Sequence, residues 1–255
     1  MASPRRYPQS DVKLLWGLAA ARCAFPGPPH CRALCVEAAT AEEPAASLGV
    51  IAHIVAHADE GPRANPAMPL EERDSYGNWV LLCDRHARVV DVQPRTYSVE
   101  DLLRWKREHE KWVHESLTHE MPEVGFAELE IVTQALLGTP QPPATDLGVL
   151  NPRDKMDRNG LTQRVHYELT LGLGKSREVR DFVGHVAVRD SDFPERLKQG
   201  FLAEYHRLRE QGIDGDALFE GLRAFAGGRR REFRVQAAGL AVLAYLFEAC
   251  EVFDR

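Results

Sequence analysis

A chain of 255 residues, 44% apolar and 27% charged, has the composition of an ordinary globular protein, with length for one large domain or two small ones. Its formal charge of −6 excludes attachment to nucleic acid through bulk positive charge, so any such contact must come from a local basic face. No stretch approaches the roughly 18 uninterrupted apolar residues that span a bilayer, and MASPRRYPQSDVKLLWGLAAA is a poor signal peptide because Asp11 and Lys13 break its apolar run. The expectation is a cytoplasmic protein that makes no use of a membrane.

Val12, Leu14, Leu15, Trp16 and Leu18 predict a first helix, ended by the Pro/Gly cluster CAFPGPPHC. Short β-prone segments follow at Leu34–Glu37 and Val50–Val55, then the loop DEGPRANPAMP, then a third segment at Trp79–Cys83. Leu102, Leu103, Trp105, Trp112 and Val113 recur every third or fourth residue and predict a helix over 99–117, with Ser98 and Asp101 forming a box-like start. Three prolines and two glycines in GTPQPPATDLG (138–148) mark a linker, placed at 121–150 between an N-terminal domain (1–120) and a C-terminal domain (151–255). The first 120 residues hold 14 basic and 17 acidic side chains against 18 and 21 in the rest, so charge does not separate the two functionally.

The C-terminal part reads as helices throughout. Leu197, Phe201, Tyr205 and Leu208 share one face, and Leu218, Leu222 and Phe225 another. Residues 235–253 are apolar nearly all round, as a helix central to a bundle would be. Gly172-x-Gly174-Lys175-Ser176 lacks the spacing of a phosphate loop, and GGRRREFR (227–234) is a basic patch of the kind that is usually solvated. The fold class expected is α+β, a small head followed by a mostly helical domain.

Five cysteines are an odd number, and Cys23, Cys31, Cys35 and Cys83 fall in the first third. Such clustering beside histidines points to metal rather than to disulfides. Cys250, in an apolar run, reads as a small buried hydrophobe.

Five pieces stand in order: CAFPGPPHC (23–31), IAHIVA (51–56), GPR (61–63), NWVLLCDRHARVVD (78–91) and YSVEDLLRWKREHE (97–110). Together they resemble the HNH endonuclease family, in its bacterial branch with HI-x-A, GPR, N and LC-x-x-H-A. The resemblance implies a ββα-metal head that hydrolyses DNA, with His53 as general base and Asn78 bracing the loop that holds it. It also implies a structural zinc on Cys23, Cys83 and His86, with Cys31 as fourth ligand and His30 or Cys35 as alternatives. Two positions depart from the pattern. Ala52 and Ala87 stand where ligands of the catalytic Mg²⁺ or Mn²⁺ often stand, and the nearby candidates for a replacement site are Asp91, His57 and Asp59, which the sequence alone does not bring together. Arg63 and Arg73 offer guanidinium groups to a phosphate, unless Arg73 pairs with Glu71 or Glu72. Trp105, Lys106 and Glu110 read as packing and surface pairing.

The stretch from NPRDKMDRNGL to AYLFEACEVF resembles the C-terminal domains of bacterial ABC-three-component defence systems, which recruit an ATPase and a small middle component. The functional expectation is an HNH-type effector acting on phage or plasmid DNA. The alternative is a catalytically silent DNA-binding or adaptor protein of such a system.

Overall fold

Pro8, with φ at −52°, leads into α1 (Gln9–Leu18), which buries Leu15. The computed structural model describes residues 4–28, 30–37, 42–44, 46–137, 152–227, 230 and 232–249, the side chains of 152–154 and 249 excepted. The chain divides into two compact units, Met1–His114 and Glu115–Arg255. Helix α1 stops before the Pro/Gly cluster, because Ala20 and Ala21 take left-handed conformations, φ 49° and 52°.

Unit 1 holds two antiparallel strand pairs. β1 (Val36–Glu37) pairs with β2 (Ala46–Ser47), a strand the sequence reading does not contain. β3 (Gly49–His53) pairs with β4 (Trp79–Cys83) in the register Gly49↔Cys83 through His53↔Trp79. Trp79, Val80, Leu81 and Leu82 are all buried, as a short continuous apolar run requires. Each such side chain contributes about 1.5–3 kcal/mol. Gly49 is needed for close approach: an added Cβ would stand 2.7 Å from both Cys35 Cβ and Trp16 Cη2.

The connection between these strands carries α2 (Leu70–Arg73) and a 3₁₀ turn (Tyr76–Asn78). α3 (Asp84–Val92) follows β4 directly and packs on both strands, giving a β-β-α order. α4 (Val99–Glu120) begins as its sequence predicts. The Asp101 N–H donates to Ser98 Oγ (3.1 Å) and the Ser98 N–H to Asp101 Oδ2 (3.2 Å).

On α4, His109 is buried and its Nε2 donates to the Ala19 carbonyl (3.1 Å). Burial pushes its pKa down to about 4. The folded state therefore holds this ring neutral while the unfolded chain protonates near pH 6.5. Stability from this group is full above about pH 6.5 and is lost as pH falls toward 4, by about 3 kcal/mol. Urea midpoints across that range are expected to fall in the wild-type chain and to fall less in His109→Gln.

Unit 2 contains the end of α4, a 3₁₀ turn (Met121–Glu123) and helices α5 (Phe126–Leu137), α6 (Pro152–Arg158), α7 (Gln163–Leu173), α8 (Ser176–Ala187), α9 (Phe193–Glu210), α10 (Gly215–Ala226) and α11 (Phe233–Ala249). The structure corrects the linker at 121–150. Residues 126–137 form α5, with Leu129, Val132 and Leu136 buried, and the division falls at His114. The apolar spacing in FAELEIVTQALL outweighs the Pro/Gly composition that follows it. Residues 138–150, the remainder of that linker, lie outside the described residues, as do Asn151, Cys250 and part of the basic patch.

Helix α11 is buried on nearly every side and packs on α5, α7, α8 and α10, which makes it the centre of the unit. Gly172 lies inside α7, where an added Cβ would stand 2.7 Å from Ala244 Cβ and 2.8 Å from the Leu240 carbonyl. It serves a close helix crossing and no phosphate loop. Between α7 and α10, Arg164 pairs with Glu168 and Glu220 (both 2.6 Å), and Arg223 with Glu220 (2.6 Å). No helix among the described residues is long and apolar enough to cross a membrane.

Candidate functional site

An antiparallel hairpin returns the chain to where it left. Because His53 pairs with Trp79 at one end of β3 and β4, the connection 54–78 must close beside His53. That connection supplies His57, Arg63, Arg73, Asp74 and Asn78.

His53 Nε2 lies 3.1 Å and His57 Nδ1 2.9 Å from the same Asp74 oxygen, Oδ1. The other oxygen accepts the Arg6 backbone N–H at 2.7 Å. All three side chains are buried or nearly so. Burial works against the charge of Asp74, but the Arg6 N–H and the two histidines outweigh it and hold the carboxyl pKa below its ordinary value. For His53, burial pushes the pKa down and outweighs the Asp74 hydrogen bond that would raise it. The pair at neutral pH is therefore a carboxylate and a neutral imidazole.

A carboxylate only accepts hydrogen bonds, so the proton of His53 sits on Nε2 and the lone pair on Nδ1. Nδ1 makes no hydrogen bond to a described residue. A base held by a carboxylate at one nitrogen and open at the other is arranged to take a proton. The three residues also offer donor atoms within 4.8 Å of one another, a group that could hold a metal ion.

Asn78 braces this loop on both sides of one residue. The Val55 N–H donates to Asn78 Oδ1 (2.9 Å), and Asn78 Nδ2 donates to the carbonyls of Val55 (2.8 Å) and Arg73 (2.9 Å). One amide thus fixes the chain two residues after His53 and one before Asp74.

Other residues expected here serve elsewhere. Arg63 turns inward, its side chain 3% exposed: Nε donates to Ile54 O (2.8 Å), Nη1 to Val90 O (2.5 Å), and Nη2 to His53 O (3.2 Å) and Asp91 (2.8 Å). It ties α3 to the end of β3 and holds its own left-handed backbone, φ 57°, a conformation costing about 1–2 kcal/mol. Arg73 donates to the carbonyls of Met68 and His57 (both 2.8 Å) and to Asp59 (2.7 Å). Both side chains are buried and turned to partners inside the loop rather than outward, where a phosphate contact was expected of them. Loop carbonyls without ladder partners need donors, and the arginine fork supplies them. Asp91 and Asp59 are engaged by these arginines and are not in the His53–His57–Asp74 group. Ala52 and Ala87 are core residues. On α4, Trp105 packs on Phe25 and Tyr97, and Lys106 pairs with Glu110 (2.9 Å) over the Tyr76 ring.

A second group forms at the opposite end of the hairpin. Cys23, Cys31, Cys83 and His86 bring their donor atoms within 4.8 Å of one another, with His86 Nδ1 at 3.3 Å from Cys83 Sγ and 3.5 Å from Cys23 Sγ. Phe25 stacks on the His86 ring at 4.0 Å. Of the three candidates for the fourth position the structure brings in Cys31. His30 is exposed, and Cys35 is buried in the core, where burial pushes its thiol up to about 12. Burial also raises the Cys23 thiol and lowers the His86 imidazole, which favours neutral donors unless a cation is present.

Asp74 is the residue the sequence reading missed. It sits in a polar run, EERDSYGN, with no periodicity to mark it. The one signal was topological: a carboxylate five residues before the partner of His53 has to lie at the His53 end of the hairpin. No protein-family model matches the chain, and no curated protein matches it.

Proposed function

We propose that unit 1 is a metal-dependent nuclease head of HNH type that hydrolyses DNA phosphodiester bonds, with His53 as general base. The observation that carries this reading is the His53–Asp74–His57 arrangement at the end of a β-β-α hairpin, braced by Asn78. His53 Nδ1 takes the proton of an attacking water, the new P–O bond forms as the bond to the leaving oxygen breaks, and Asp74 stabilises the imidazolium at Nε2. The donor set of His57 and Asp74, one imidazole and one carboxylate, suits Mg²⁺ or Mn²⁺, with Asp74 in place of Asp91. Such a cation, when bound, stabilises charge on the phosphate and the leaving oxygen.

Three thiols and an imidazole form the donor set of a structural zinc. Its residues come from the segment before β3, from the end of β4 and from α3, so a bound zinc would fasten the hairpin to its helix.

Unit 2 is proposed to recruit the head to a bacterial defence assembly through an ATPase and a small middle component. Its own helical core around α11 suits unit 2 to act as a separate module. A second reading, a silent DNA-binding adaptor, is favoured by the burial of Ala52 and Ala87 in the core. Nicking of supercoiled plasmid at low salt separates the two. The nuclease reading expects Mg²⁺- or Mn²⁺-dependent nicking that His53→Ala lowers at least about 100-fold. Equal nicking by the variant contradicts it.

A further inference from the structure

The arginines of the 54–78 loop are spent on internal carbonyls and carboxylates, so a nuclease site there lacks an obvious grip on phosphate. The segment Pro4–Pro8 supplies one. Its place is fixed by the Arg6 backbone N–H on Asp74 Oδ2 (2.7 Å) and by the Tyr7 ring, whose centroid lies 5.5 Å from that of Trp79 and 6.3 Å from that of His53. The backbone and the aromatic ring do the anchoring, which leaves both guanidinium groups uncommitted. Arg5 and Arg6 are exposed, and neither side chain has an ion pair or hydrogen bond among the described residues.

We propose that Arg5 and Arg6 form a phosphate-binding arm beside His53, holding the DNA backbone against the site. The inference rests on the nuclease reading for its ligand. Two guanidinium groups carried on a segment pinned to Asp74 would set the position of a phosphate relative to His53 and Asp74. The local cations also answer the net acidity of the chain, since affinity for DNA must come from a local face.

The test is fluorescence anisotropy of the full chain on a short labelled DNA duplex over a salt series. The variants are Arg5→Ala/Arg6→Ala, Arg5→Lys/Arg6→Lys, and Arg177→Ala/Arg180→Ala, which removes the same charge from exposed positions of α8. The alanine pair keeps the Arg6 backbone N–H and so keeps the anchor. It is expected to weaken binding at least about 10-fold at low salt and to lower the log–log salt slope by about 2, one for each phosphate no longer neutralised. The lysine pair should restore the slope and the α8 pair should leave it unchanged. An unchanged slope in the Arg5/Arg6 alanine pair, or an equal loss in the α8 pair, overturns the arm. The nuclease reading would stand in that case, because wild-type nicking decides it separately. Failure of the wild-type chain to bind the duplex overturns the arm as well.

Discussion

Asp74→Asn is expected to lower metal-dependent nicking by about 10²–10⁴-fold, with unit 1 still folding cooperatively but less stable by about 1–3 kcal/mol, because the amide nitrogen must face either the Arg6 N–H or the histidines. The substitution preserves shape but removes the charge that orients the Nε2 proton of His53 and stabilises the imidazolium, and an amide swap in an acid–histidine pair costs up to about 10⁴ in rate. It also takes a carboxylate from the proposed cation site, so the Mn²⁺ concentration giving half-maximal nicking should rise. His57→Ala separates the two roles. It leaves the His53–Asp74 bond in place, so its loss should be repaired in part by excess Mn²⁺, whereas that of Asp74→Asn should not. Full nicking by Asp74→Asn would remove the pair from the mechanism.

Chelation is expected to act on the other group with an effect as large on stability. The Cys23–Cys31–Cys83–His86 set joins the segment before β3 to the end of β4 and to α3. Structural zinc sites carry apparent binding energies of about 10–16 kcal/mol, much of it folding energy in small domains. The purified chain should hold zinc by elemental analysis. Its removal, or Cys83→Ser, should abolish the cooperative unfolding of unit 1 while unit 2, with its own core around α11, continues to unfold cooperatively. Cys35→Ala, at a cysteine outside the group, should keep the metal. Zinc content unchanged in Cys83→Ser would show that the four residues are not its ligands.

Much of the frame was legible because its signals are local. The Trp79–Cys83 segment became β4, the Ser98–Asp101 start opened α4, and the all-round apolar run from 235 became the central helix. Cys83-x-x-His86 places two donors one helical turn apart, and the structure closes the set with Cys31. The site was less legible because it is assembled by a loop. Arg63 and Arg73 are surface residues by type, yet an irregular connection leaves carbonyls without ladder partners, and these drew both guanidinium groups inward. Asp91 was thereby taken by Arg63. Asp74 carries no sequence pattern, and only the pairing of His53 with Trp79 brings it to the right end of the hairpin. Helix α5 was obscured by the Pro/Gly-rich residues after it, although Leu129, Val132 and Leu136 have helical spacing.

The proposed hydrolysis requires His53 to accept a proton through Nδ1 while Asp74 holds Nε2. The most direct test is plasmid nicking by His53→Ala in Mn²⁺ with and without added imidazole. The variant alone should be at least about 100-fold slower than wild type, and imidazole entering the vacated space should restore part of the rate, increasingly with pH as its neutral form accumulates. Wild-type rates in the variant without imidazole would contradict the assignment of His53 as the base.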